Sequence, residues 1–159
     1  MIISWKKLKV HLISILFAVG VGALAGFLTR NGMTAFEALK KPSLTPPSAV
    51  FPIVWTVLYV LMGISSAMIY QSDSPGRRNA LIFYAAQLVV NFFWTIFFFS
   101  LRAYWFSFFW LLLLLGLIIG MVVTFWKINK SAALLQLPYL LWVVFAGYLN
   151  LMIALLNRT

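Results

Sequence analysis

Apolar residues fall in five long runs, at about 10–28, 49–70, 80–101, 104–126 and 132–156, separated by polar breaks. A helix rising about 1.5 Å per residue needs about twenty such residues to cross the hydrocarbon of a bilayer, and each run meets that length. The pattern predicts an all-α integral membrane protein, a bundle of five transmembrane helices forming a single domain over residues 1–159.

The breaks are unequal. Ser72-Asp-Ser-Pro-Gly-Arg-Arg-Asn79 reads as a plain turn, and Arg102 alone marks the hairpin between the third and fourth runs. Only the first connection, 29–48, is long enough to fold over something. Near its end Thr45 is expected to cap a helix whose first turn accepts Pro46 and Pro47, since the missing N–H groups would be unpaired there anyway. Pro52 removes one more donor and loosens the helix mouth, which reads either as a simple helix start or as a rigid rim. Pro138 is expected to kink the last helix.

Composition agrees with the pattern. The chain is 64% hydrophobic with a mean hydropathy of +1.03, which excludes a soluble globular domain. A net charge of +10 would suggest nucleic acid in a soluble chain. Here the bases cluster beside the spans (Lys6, Lys7, Lys9; Arg30, Lys40, Lys41; Arg77, Arg78), so membrane lipids are the expected partner and no nucleic acid is. Across alternate connections seven bases fall on the amino-terminal side and five on the other, a bias that places the amino terminus in the cytoplasm. The first run follows a basic start but lacks a small-residue cleavage site, so it is read as a membrane anchor.

Chemistry is narrowly bounded. The two acids, Glu37 and Asp73, lie in connections, cysteine is absent, and the single histidine, His11, stands near the start of the first run. No metal site, hydrolytic triad or cofactor is expected, and a proton-coupled exporter would want an acid inside a span.

What the spans do carry is spaced. Gln87, Asn91 and Trp94 share one helix face with Phe98 a turn beyond; Tyr139, Trp142, Ala146 and Asn150 form a second stripe; Trp55, Tyr59, Met62 and Ser66 form a third. A bare carboxamide in hydrocarbon costs several kcal/mol, so the three stripes are expected to face one another. Spacing fits two arrangements equally, interhelical hydrogen bonds that merely hold the bundle and a ligand pocket. Converging indoles add weight to the pocket, because they wall a flat space suited to a planar guest. Trp5, Trp105 and Trp126 near the span ends are expected in the interfacial belts. Gly22 with Gly26, and Gly116 with Gly120, are small-residue pairs that allow close helix contact within or between chains.

Several of these residues, in this order, resemble the TspO/MBR family, which includes the mitochondrial translocator protein (peripheral benzodiazepine receptor) and bacterial tryptophan-rich sensory proteins. The landmarks are Lys41-Pro42-Ser43, Pro46-Pro47, Val54-Trp55, Leu58-Tyr59, Met62-Gly63, Gln87 with Asn91 and Trp94, Pro138-Tyr139-Leu140 with Trp142, and Leu149-Asn150. The resemblance implies five transmembrane helices, a homodimer, a bacterial cell membrane, and a pocket under the first connection. By matching position it implies ligand contacts at Trp55, Asn91, Trp94, Tyr139, Trp142 and Ala146, with Pro42, Ser43, Pro46 and Pro47 in the lid. The expected ligands are porphyrins such as protoporphyrin IX and isoquinoline carboxamides, bound in a sensing or transport role. An alternative implied by some bacterial members is light- and oxygen-dependent porphyrin breakdown, with Trp55, Trp94 and Trp142 as the working residues. Two departures matter. Tyr148 is followed by no base until Arg158, which gives little support to cholesterol as a partner. Leu44 and Ala49 make the rim less aromatic than the family type, so a modest porphyrin affinity is expected.

Overall fold

The computed structural model describes residues 4–158. Its helices are α1 (Trp5–Leu28), α2 (Arg30–Glu37), α3 (Val50–Tyr70), α4 (Arg77–Thr95), α5 (Tyr104–Ile128), α6 (Lys130–Leu134) and α7 (Leu137–Leu156). A π-helical turn, Ile96–Ser100, continues α4. Five segments are long and apolar enough to cross a membrane: Trp5–Leu28, Val50–Tyr70, Arg77–Ser100, Tyr104–Ile128 and Lys130–Leu156. No strand occurs among the described residues, so the protein is an all-helical membrane bundle.

The outer surface is apolar, with Leu16, Phe17, Phe109 and Leu141 among the exposed residues. Such a surface is stable only against lipid, where the helices satisfy their own backbone groups. Trp5, Trp105 and Trp126 are also exposed near helix ends, as the belt pattern requires. Inside, α1 packs on α3, α4 on α5, and α5 on α7. The α1–α3 contact is close because Gly63 has no side chain: a Cβ there would overlap Ile15 Cα. Gly22 lies under the Tyr59 ring and Gly120 against Phe83, so one glycine of each small-residue pair serves contacts within the chain, while Gly26 and Gly116 face open space.

Three local expectations are corrected. Thr45 is no cap; α3 begins at Val50 behind Ala49, and Thr45 instead closes a turn by donating its N–H to Pro42 O at 3.1 Å. The cause is the Pro46-Pro47 pair, since a residue preceding proline is driven out of the helical region. The fifth run is not one helix. Proline cannot donate to the carbonyl four residues back, so α6 stops at Leu134, Leu135 and Gln136 turn, and Pro138 falls in the first turn of α7, where no donor is needed. Finally, the first connection contains a helix of its own, α2, seated by Gly32, whose absent Cβ would overlap Phe99 O in the π turn.

The hairpin at Arg102 is as expected, and it holds that residue at φ 52°, in the left-handed region that side chains disfavour. The first connection is fastened just past α2, at Lys40 and Lys41. Lys41 Nζ donates to Phe36 O at 3.0 Å and Glu37 O at 2.7 Å, closing the carboxyl end of α2. Asn157, just past α7, pairs with Lys40 in both directions, Nδ2 donating to Lys40 O at 2.8 Å and Oδ1 accepting from Lys40 N at 3.0 Å.

These contacts predict an asymmetric response to added methyl groups. Gly63→Ala and Gly32→Ala should each lower stability by about 1–3 kcal/mol through overpacking. Gly20→Ala and Gly116→Ala, which meet nothing within 4 Å, should be neutral or stabilising, by up to about 1 kcal/mol. Thermal unfolding in detergent checks this, and equal effects at all four positions would contradict the packing described.

Candidate functional site

The three polar stripes meet. Gln87, Asn91, Trp94, Tyr139 and Asn150 are all buried, and their polar atoms pair across helices. Tyr139 Oη donates to Gln87 Oε1 at 2.6 Å, Asn91 Nδ2 donates to Tyr59 Oη at 3.0 Å, and Trp94 Nε1 donates to Asn150 Oδ1 at 3.1 Å. Asn150 also reaches α5, where Nδ2 donates to Tyr104 O at 2.8 Å and Ser107 Oγ lies 3.1 Å from Oδ1. Interhelical hydrogen bonding therefore accounts for Gln87 and Asn150 outright.

It does not account for everything. Asn91 Oδ1 and the Trp142 indole N–H are buried without a partner, as are Tyr84 Oη, Thr45 Oγ1 and both side-chain polar atoms of Gln136. Native interiors leave few such groups bare.

Beside the seam lies a cavity of about 330 Å³ between α1, α3 and α4, roofed by α2. Trp55, Tyr59, Trp94 and Phe99 form its aromatic walls, while Gly22 and Gly26 of α1 give a smooth opposite face. The two indoles lie 6.3 Å apart, centroid to centroid, and Trp55 meets the edge of Tyr139 at 6.2 Å. Ala23, Gly26, Pro52 and Thr56 are exposed, so the cavity opens on the flank of the bundle. Its threonines offer no free donor: Thr29 Oγ1 donates to Ala25 O at 2.8 Å, Thr56 Oγ1 to Pro52 O at 2.7 Å and Thr95 Oγ1 to Asn91 O at 3.1 Å.

Of the six residues expected at a ligand, Trp55 and Trp94 line this cavity. Asn91 and Tyr139 are buried one layer behind it, against Tyr59 and Trp55, and Ala146 is buried and does not line it. Trp142 packs edge-on against Phe51 at 5.9 Å, and Phe51, which also lines the cavity, stands beside both. The lid residues Pro42, Ser43, Pro46 and Pro47 do not touch the space; from the first connection it is α2 that does, through Arg30 and Met33. Sequence reasoning did not assign Arg30, Phe51, Phe99 or the glycines of α1 to the site, having read Arg30 as a lipid contact and Gly22 with Gly26 as a helix-packing pair. A cation directly after a span was the available sign for Arg30, whereas Phe99 turns inward only because of the π turn.

Chemically the site is a flat-walled apolar slot with one cationic residue at its rim. No cluster of three or more His, Asp or Glu that could hold a metal exists among the described residues.

Residues 13–156 match the model of the TspO/MBR family. The chain is 37% identical over 126 residues to a translocator protein homolog of Schizosaccharomyces pombe, covering 77% of each chain. It is 33% identical over 138 residues to a tryptophan-rich sensory protein of Cereibacter sphaeroides, covering 87% of this chain and 85% of that one. Over 136 residues it is 34% identical to the translocator protein of Bos taurus, covering 80% of each.

The seam separates two kinds of buried amide. Asn150→Leu strands the Trp94 N–H and should cost about 2–3 kcal/mol. Gln136→Met removes an amide that has no partner and should leave stability within about 1 kcal/mol of wild type or raise it. Thermal unfolding of the two variants side by side decides the matter, equal losses counting against the hydrogen-bond assignment.

Proposed function

Since the chain belongs to the TspO/MBR family, we propose that it is a membrane-embedded binding protein for porphyrins such as protoporphyrin IX and for similar flat hydrophobic molecules, isoquinoline carboxamides among them. The names of its relatives, translocator and sensory protein, support a transport or sensing role. The observation that carries the reading is the pair of indoles, Trp55 and Trp94, facing one cavity with Tyr59. Its volume, about 330 Å³, sits at the lower end of the range of about 300–1,000 Å³ usual for small-molecule pockets. A macrocycle would thus insert in part and leave the remainder at the open flank.

In this reading Phe51 is a partition. Its rotation would join Trp142 to the cavity and offer the unpartnered indole N–H to an occupant. The protein would lie in a bacterial cell membrane with its amino terminus in the cytoplasm, as a homodimer surrounded by lipid.

A second reading, photo-oxidative breakdown of the bound porphyrin by dioxygen, is favoured by one feature. Electron-rich rings at Trp55 and Trp94 would lie against the excited macrocycle, and the described residues that line the cavity include no carboxylate, histidine or thiol.

Titration of protoporphyrin IX into the purified protein, read by tryptophan quenching, should saturate. Trp55→Ala should weaken binding about tenfold or more, as loss of a central aromatic contact does. Trp5→Phe, far along α1, should leave it unchanged. Failure to saturate, or equal affinity in both variants, would remove the binding proposal. Illumination at matched occupancy, with and without oxygen, separates the second reading: loss no faster than beside an unrelated membrane protein leaves binding alone.

A further inference from the structure

We propose that Arg30 sets the charge of the ligand, so that the cavity selects flat apolar molecules bearing a carboxylate at one edge over their neutral esters. The inference rests on the binding role proposed above and adds the chemical class that the site prefers. Arg30 is the one charged side chain among the cavity's lining residues. It follows the end of α1, where a span-terminal arginine would ordinarily extend to lipid phosphates. Here it folds back instead. Nη1 donates to Phe27 O at 2.8 Å and the guanidinium lies 4.1 Å from the Phe27 ring centroid. Stacking of that kind fixes the guanidinium plane, and with one of five N–H donors engaged, the rest remain for an anion in the fork geometry that fits a carboxylate.

Competing groups are otherwise engaged. On the first connection Lys41 directs its ammonium to the carbonyls of Phe36, Glu37 and Leu39. The three threonine hydroxyls of the wall are bonded to their own helices. Glu37, the only acid in the connections at this end of the bundle, accepts from Ser48 Oγ at 2.8 Å. Arg30, Lys40, Lys41, Arg102 and Arg158 all belong to this end by the up-and-down course of the helices, so an approaching anion meets five bases and one acid. A carboxylate at the rim would then make a charge-assisted hydrogen bond beside a low-dielectric wall, while the apolar body of the ligand lies between Trp55, Trp94 and the glycine face of α1.

The test compares protoporphyrin IX with its dimethyl ester on wild type, Arg30→Gln and Arg30→Lys in the same detergent. The readout is the ratio of the two affinities, because partition of each porphyrin into micelles cancels between proteins. In Arg30→Gln the acid-over-ester preference should fall about tenfold or more, the size of one charged hydrogen bond. Arg30→Lys should keep part of the preference, and added salt should weaken acid but not ester binding to wild type. Thermal unfolding of each variant guards against a folding defect, which would lower both affinities together. An equal ratio in wild type and Arg30→Gln overturns the role of Arg30 while leaving porphyrin binding standing. If neither porphyrin saturates wild type, the binding proposal falls and this inference falls with it.

Discussion

Hydrocarbon offers no hydrogen bond to anything placed in it, and the interior of this bundle is organised around that single constraint. Gln87 and Asn91 could not lie against lipid, so α4 must turn them toward Tyr139 and Tyr59. Asn150 fixes the other end of the seam by joining Trp94 on α4 to Tyr104 and Ser107 on α5. Once these pairs form, the rotation of α3, α4 and α7 about their axes is set. The direction of the Trp94 ring is then decided as well, because its N–H is held from behind and its remaining face is free to wall the cavity. The hydrogen bonds that hold the bundle thus also shape its empty space.

The parts of this arrangement that were legible in the sequence are those with a contrast in polarity. Five apolar runs between basic breaks gave the spans, and three stripes of aromatic and amide residues gave the inward faces. Where contrast vanishes, so does legibility. Ile96-Phe-Phe-Phe99 is uniformly apolar, and nothing in it shows that a π turn brings both Phe98 and Phe99 against Phe36 of α2. The break at Leu135 and Gln136 was half visible, since Pro138 was noticed, but a kink and a fresh helix start look alike until the donor it lacks is traced to Leu134. The glycines of α1 permitted partners inside or outside the chain, and only the position of the Tyr59 ring distinguishes them at Gly22. Candidate ligand residues were found as a set on shared faces; their division into wall and second layer depends on side-chain depth, which spacing does not encode.

Aromatic packing takes over where hydrogen bonding stops. Phe36 touches Phe51, Phe98 and Phe99 with centroids 5.6–6.0 Å apart, so α2 meets α3 and the π turn through rings. These contacts are less directional than the hydrogen bonds of the seam, and the close approach of Gly32 to Phe99 O fixes how near α2 sits to the π turn.

The two-way bond between Lys40 and Asn157 joins residues 117 positions apart, and it links the roof to the last helix made. A nascent chain can complete α1, α3, α4 and α5 and still have nothing to which this end of the first connection can be tied. The last helix also supplies Asn150, which holds the Trp94 indole. A chain that stops short of α7 therefore lacks both the hydrogen bond that orients one wall of the slot and the tie that fastens the first connection.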